Sequence, residues 1–552
     1  MRNKNLICYV IIFLFTFSYF CFLGSDYYVV ADDTIFHTSN ILVMAKEINF
    51  FHLIPNKIMP ILVNNLGYGV NLFYPILPHL IGSYLLKIFS LVDIGIVGVM
   101  KFMHFMVICL SGIFMYKYIM AFFKNRKQAL LTAILYQSMP YVFTNVFMRG
   151  ALNESFVFVY LPIIFLGFHY LFEKNEVNKF YFCFVLGYSL LIYSHLVLAV
   201  YLTLLLIPFL LVYYRKLFHK EVIRKLIIGS IIILLITSNF WGPLLEHYLL
   251  HNYYIFNLKY VDTMDVQIAN VLYYLFPIKY FHVRSDYFLC FFISPICIFL
   301  FVCDYWLLYQ RRIKKEHSRL LGGMLCYLVI SILVASCSFL WQFVPNILKN
   351  IQFTWRIALF VAFGASVLSG YAIRLFHGRG QNILLMVVIA LSAFFNFYLT
   401  SKLSYVNVDE IEFLKDSCCD LQWSYEYLPS VAKYHSLQLY NKGEYLGNKF
   451  TKIIDNDVPN MKFEVFGVTD NIEVEFPRIF YLGYVLRSED GKEVDVYQNG
   501  FGLLQADIDL NGVYYLEYEG TIIDKITKVL TFGTIFGCII YFVGVLFKKR
   551  NY

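Results

Sequence analysis

Apolar residues run along this chain in long unbroken stretches, with polar residues gathered in the gaps between them. Such stretches lie at residues 6–24, 94–122, 129–146, 156–172, 180–213, 226–245, 287–309, 320–340, 357–375, 383–400 and 526–547. A helix of that length crosses a hydrocarbon core of about 30 Å. The stretch 180–213 is too long for one span and breaks at the polar pair Ser194-His195, giving helices over 180–193 and 196–213. The pattern predicts about twelve membrane helices. The first follows the basic start Met1-Arg2-Asn3-Lys4, with no small-residue cleavage site behind it. It reads as an uncleaved anchor with the N-terminus inside.

Residues 72–92 are apolar enough to span, yet Pro75, Pro78, His79 and Lys87 interrupt them. If they span, every later loop changes side, so loop charge decides. With 72–92 at the outer surface, Lys124, Arg126, Lys127, Arg215, Lys216, Arg312, Arg319 and the tail Lys548-Lys549-Arg550 fall inside. The opposite assignment puts the basic loops outside, against the positive-inside bias. Residues 72–92 therefore read as an interfacial or re-entrant helix in one long first outer loop, 25–93, and both termini as cytoplasmic.

Past residue 400 the period changes. Alternation in Lys462-Phe463-Glu464-Val465-Phe466 and in Val513-Tyr514-Tyr515-Leu516-Glu517-Tyr518, with turns at Asp490-Gly491 and Asn511-Gly512, reads as β-strands. The predicted fold is an all-α polytopic membrane protein with a small β-rich extracytoplasmic domain before the last membrane helix. Its parts are a multi-span body at 1–400, the β-rich domain at 401–524, and a final helix with basic cytoplasmic tail at 525–552.

Composition agrees. Of 552 residues 59% are apolar and 15% charged, against about 25% charged in soluble domains. That excludes a soluble enzyme, a disordered scaffold and a nucleic-acid binder. The net charge of +8 hides an asymmetry: of 45 basic and 37 acidic residues, 11 and 22 lie at 402–525. An acidic insert sits in a basic membrane body. The 12 Cys have no framework spacing, and the adjacent pair Cys418-Cys419 makes neither a metal site nor a disulfide scaffold. Heavy use of Phe, Tyr, Ile, Asn and Lys suggests an AT-rich genome and a bacterial cell membrane.

Ionisable residues next to membrane spans default to function, because burying them is costly. Four outer motifs carry them. In Asp32-Asp33-Thr34-Ile35-Phe36-His37, Asp33 and His37 are four apart and share a helix face; the same aspartates also suit a helix cap. Arg149-Gly150-Ala151-Leu152-Asn153-Glu154 offers a guanidinium that pairs with its own Glu or binds phosphate. Ser194-His195 is either a packed histidine or a ligand. Asn350-Ile351-Gln352-Phe353-Thr354-Trp355-Arg356 ends in an Arg that snorkels or binds phosphate. No phosphate-binding glycine loop, zinc spacing or nucleophile elbow is present. Chemistry gathered at the outer face suits a lipid-linked donor, since nucleotide sugars are cytoplasmic.

These motifs resemble, in order, those of bacterial membrane proteins labelled "6-pyruvoyl-tetrahydropterin synthase-related". They are Asp33-Thr34-Ile35-Phe36-His37, Gly67-Tyr68-Gly69 with Phe73-Tyr74-Pro75, Arg149-Gly150-Ala151-Leu152-Asn153-Glu154, Ser194-His195 and Gln352-Phe353-Thr354-Trp355-Arg356. That family's organisation is similar to the GT-C superfamily of membrane glycosyltransferases, which use polyprenyl-phosphate-linked sugars and a catalytic Asp in the first outer loop. Asn153 stands where the family pattern has Gly, and Thr354 where it has Pro.

The resemblance implies an inverting transfer of a sugar from a polyprenyl-phosphate-linked donor to a cell-wall polysaccharide or glycolipid acceptor. Asp33 is the expected general base, with His37 orienting it or touching phosphate. Arg149, Arg356 and His195 are the expected donor-phosphate ligands. Glu154 assists the acceptor or holds a divalent cation, Mg or Mn; no other cofactor is expected. The partners are then the lipid-linked sugar, the glycan acceptor and the bilayer, without nucleic acid. The alternative is a non-catalytic lipid-linked-glycan transporter or assembly factor using the same cavity.

Overall fold

The computed structural model describes residues 2–20, 24, 27–29, 31–50, 52–60, 63, 65–257, 271–275, 280–281, 288–290, 292–309, 315–343, 353–403, 405–407, 425–434 and 449–550. Arg312, the 350–352 part of the fourth motif and the Cys418-Cys419 pair lie outside them. Among the described residues, seven helices are long and apolar enough to cross a membrane. Shorter apolar helices at Asn5–Tyr19, Leu77–Val92, Leu196–Val212 and Pro295–Trp306 accompany them. The chain divides into two compact units.

The first unit comprises Met1–His37, Phe89–Leu234 and Lys259–Val408. Its helix Ile96–Phe123 has 28 residues, or about 42 Å at 1.5 Å per residue. Lys124 closes it in a left-handed conformation. Asn125 then starts Arg126–Gln137, its side chain accepting from Gln128 N at 3.1 Å. The expected span 129–146 is broken. Met139 is extended ahead of Pro140, as the residue before proline prefers, and a π-helical turn, Thr144–Met148, follows. The chain re-enters the helical layer at Leu152–Lys174.

Leu152–Lys174 and Thr354–Leu375 are the most deeply buried spans of this unit. Between them Phe165 and Phe363 meet at 4.6 Å between ring centroids, with Phe209 and Tyr118 alongside. Polar groups join helices where lipid offers no hydrophobic drive: Gln137 Nε2 donates to Ile108 O at 2.9 Å and Thr16 Oγ1 at 3.1 Å. The break at Ser194-His195 falls where the sequence places it. Val177–Ser194 ends there and Leu196–Val212 begins, with His195 Nδ1 accepting from Leu198 N at 3.3 Å.

The second unit comprises Thr38–Ile88, Leu235–Leu258 and Asp409–Tyr552, so most of the 25–93 segment groups with the β-rich part. Its five-stranded antiparallel sheet runs Thr451–Asp455, Met461–Val465, Gly512–Tyr518, Tyr484–Ser488, Glu493–Val494. A three-stranded one runs Val496–Gln498, Leu503–Ile508, Ile472–Ile479. Alternation buries Met461, Phe463 and Val465 on one face. Phe463 meets Phe476 of the smaller sheet at 5.3 Å. The Gly67-Tyr68-Gly69 motif is a packing element of this unit. A Cβ on Gly69 would lie 2.6 Å from the Tyr481 ring, Leu66 O accepts from Ile479 N at 3.0 Å, and Phe73 stacks on Tyr427. The last helix, Ile522–Arg550, is anchored by Asp524, which Lys57 reaches at 2.5 Å and Lys528 at 2.9 Å.

Candidate active site

The candidate site lies wholly in the first unit and begins with a turn. Ala31 N donates to Thr34 Oγ1 at 3.0 Å, while Thr34 N donates to Ala31 O at 3.1 Å. This reciprocal pair sets the start of helix Thr34–Glu47, whose first backbone bond is His37 N to Asp33 O at 3.1 Å. Asp33 is therefore the residue on which the helix opens. Its N–H is tied to Arg149 O at 2.8 Å. Its side chain does not cap the helix; Oδ2 faces Arg149 Nη2 at 3.4 Å.

The loop carrying Arg149 fits against that turn because Gly150 has φ +63° and no side chain. A Cβ there would run into Thr34 Oγ1 and sit 3.2 Å from Thr34 N. Arg149 N closes on Thr144 O at 2.9 Å, and Ala151 N on Asn145 O at 3.0 Å. The π-helical turn and glycine together aim Arg149 inward. Its Nη1 donates to Glu154 Oε2 at 2.6 Å, and its guanidinium lies 4.5 Å from the centre of the Trp355 ring.

Glu154 is 2% exposed. Tyr141 Oη donates to its Oε1 at 2.6 Å, and Arg356 Nε stands 3.4 Å from Oε2. Arg356 leaves a 3-10 turn, Thr354–Ile357, that Thr354 pins by donating to Ala335 O at 3.2 Å. Asp33, Arg149, Glu154 and Arg356 thus form one string of alternating charge that sums to zero. His195 is within electrostatic range of Glu154 and Arg356, and its Nδ1 is committed to capping a helix. His37 is 1% exposed. A side chain so enclosed suits orienting its turn better than meeting a phosphate.

The two carboxylates differ in what they can do. Glu154 is bracketed by two guanidinium groups and a phenol, so a divalent cation there would face two positive charges. Its surroundings do not fit the metal-holding role considered for it. Among the described residues no group of three or more His, Cys, Asp or Glu is arranged around a common cation position. Asp33 has 41% of its side chain exposed. Its Oδ1 accepts no hydrogen bond from the described residues. The poorly hydrated surroundings push its carboxyl above the usual range, against the pull of Arg149 and Arg356. A carboxylate that is accessible and more basic than usual suits proton abstraction.

Tyr141 and Trp355 had no role in the motif reading, yet both touch the string. Trp355 sits inside a quoted motif, beside Arg356. Tyr141 follows Pro140, and only its buried hydroxyl's bond to Glu154 singles it out; nothing in the sequence does.

No family model matches the chain, and no curated protein matches it. The motif-level likeness to the "6-pyruvoyl-tetrahydropterin synthase-related" proteins thus rests on the quoted residues alone. Among solved structures, the arabinofuranosyltransferase AftD from Mycobacteria matches with a TM-score of 0.50 and 12% identity, over 74% of this chain and 28% of that one. The membrane body has a GT-C-like fold. ArnT from Cupriavidus metallidurans, bound to undecaprenyl phosphate, matches with a TM-score of 0.41 and 11% identity, over 80% of this chain and 73% of that one. The Archaeoglobus fulgidus oligosaccharyltransferase with a tethered acceptor peptide matches at 0.43 and 12% identity, over 72% and 55%. The chain spans little more than a quarter of the length of AftD, and at 12% identity the GT-C-like likeness is one of fold. No residue role is carried across with it.

Proposed function

We propose that this protein is an inverting glycosyltransferase that moves a sugar from a polyprenyl-phosphate-linked donor to a polysaccharide or glycolipid acceptor at the outer membrane face. The observation that carries the reading is the asymmetry of the charge string. One end is an accessible carboxylate with an open oxygen; the rest is a buried carboxylate with Arg149 hydrogen-bonded to it and Arg356 3.4 Å away. Asp33 Oδ1 takes the proton of the acceptor hydroxyl as that oxygen bonds to C1 of the sugar. The bond from C1 to the phosphate oxygen breaks on the opposite side, and its electron pair leaves on the phosphate. Arg149 and Arg356 stabilise that charge, a task suited to a guanidinium able to hold two phosphate oxygens at once. Tyr141 fixes Glu154, Glu154 holds Arg149 by a hydrogen bond and draws Arg356 by charge, and Trp355 backs Arg149. The GT-C-like fold of AftD supports an enzyme over a transporter.

The test is transfer by purified protein in detergent, with polyprenyl-phosphate sugars and glycan acceptors of several classes. Asp33→Asn keeps the shape of the side chain and removes the base. Transfer should fall about 10²–10⁴-fold while donor binding stays. Full activity in that variant overturns the assignment. A wild type inert with every donor class overturns the enzyme reading in favour of a carrier of lipid-linked glycans.

A further inference from the structure

The helix Leu196–Val212 has His195 and the charge string at its start; 17 residues later, about 25 Å along its axis, it ends in a different polar site. A cavity of about 380 Å³ is lined there by Val212, Tyr213, Tyr214, Arg215, Lys216 and Arg319. The basic loops of such proteins need no cavity to satisfy the charge bias of membrane insertion, yet here Arg215 and Arg319, both exposed, border a half-open one. The three cations are not equivalent. Lys216 is already matched, its Nζ donating to Phe172 O at 2.5 Å and standing 3.2 Å from Glu173. Arg215 Nε donates to Tyr214 Oη at 2.9 Å, and neither Arg215 nor Arg319 pairs with a carboxylate among the described residues. The cavity is thus lined by two guanidinium groups that pair with no carboxylate among the described residues, beside two tyrosines.

Depth identifies what fills it. Val212 is the last residue of an apolar helix, and Arg319 stands two residues into the apolar span His317–Ser336, so the cavity opens at the level of lipid headgroups. Its surroundings are greasy: Leu211, Tyr214 and Phe218 are all exposed large apolar side chains. We propose that this cavity binds the phosphate of an anionic phospholipid, drawn from the leaflet opposite the Asp33 site. Arg215 and Arg319 hold the phosphate oxygens, Tyr214 donates to them or to the glycerol headgroup, and the acyl chains lie over Leu211 and Phe218. This binding is independent of the transfer reaction.

The experiment measures lipid binding to the full chain in detergent by native mass spectrometry and thermal shift, with phosphatidylglycerol, phosphatidylcholine and inorganic phosphate as separate probes. The wild type should bind phosphatidylglycerol about tenfold or more tightly than Arg215→Ala/Arg319→Ala does. Phosphatidylcholine should show no such difference. Arg319→Gln alone should weaken phosphatidylglycerol binding severalfold, which keeps the test open if the double variant fails to fold. Equal phosphatidylglycerol binding by wild type and Arg319→Gln overturns the proposal. So does a thermal shift by inorganic phosphate that matches the lipid's and disappears in the same variants, since that marks a site for soluble anions.

Discussion

Asp33 and Glu154 lie in one charge string, but only Asp33 has an oxygen to spare. If it is the base, kcat/KM must fall as pH drops and Asp33 takes up a proton. Its carboxyl is raised, so that acid limb should sit above the ordinary aspartate value of about 3.9. Arg149 opposes the rise, so Arg149→Gln should move the limb to still higher pH as well as weaken donor binding; a pH–rate profile reads both. Glu154 answers to a different measurement. Glu154→Gln leaves buried Arg356 without its carboxylate and Arg149 with Asp33 alone, and should cost about 3–5 kcal/mol of stability, read by denaturation in detergent. The four charged residues of the string were legible because ionisable groups stand out beside apolar spans. Tyr141 was not: it is one of 46 tyrosines, and only its hydrogen bond to Glu154 distinguishes it.

The elements that place those residues are short and irregular. Gly150 lets the Arg149 loop lie against the Asp33 turn, so Gly150→Ala should cost about 1–3 kcal/mol, through both its positive φ and the contact with Thr34. It should also lower turnover, because the displaced loop carries Arg149. Gly322→Ala is the control: it lies in a helix with nothing within 4 Å of the added Cβ, and should be neutral or stabilising by up to about 1 kcal/mol. A thermal melt of both variants separates the two cases. Hydropathy located most of the helices and the break at Ser194-His195, where polar residues interrupt an apolar run; the expected span 226–245 is instead divided at Thr237 between Lys220–Ile236 and Ser238–Leu250. It missed the break at Ser138-Met139-Pro140, because Met139, Tyr141 and Val142 keep the run apolar. A π-helical turn such as Thr144–Met148 leaves no mark in residue type, since what defines it is a backbone bond.

Across the whole molecule the strongest expectation concerns sidedness. The bias that puts Lys124 and Arg215 inside also puts Lys174 and Lys220 there, and Asp32 and Asp457 outside. In intact cells an impermeant thiol reagent should therefore modify Asp32→Cys and Asp457→Cys, and should reach Lys174→Cys and Lys220→Cys only after permeabilisation. Labelling of the lysine positions in intact cells would reverse the topology. The β-rich region was visible as a change of period near residue 400. The grouping of Thr38–Ile88 with it was not, because that grouping rests on contacts such as Gly69 against Tyr481, between residues some 400 positions apart. Periodicity describes neighbours along the chain and carries nothing about partners at that distance.

The neutrality of the charge string has a kinetic consequence under the proposed reaction. The donor presents a phosphodiester with one negative charge. Transfer leaves a phosphomonoester, whose second ionisation lies near pH 6, so at neutral pH the spent carrier approaches two. Arg149 and Arg356 then grip the product harder than they gripped the substrate. The used lipid therefore binds more tightly than the donor it came from, and its build-up in the membrane slows the next cycle.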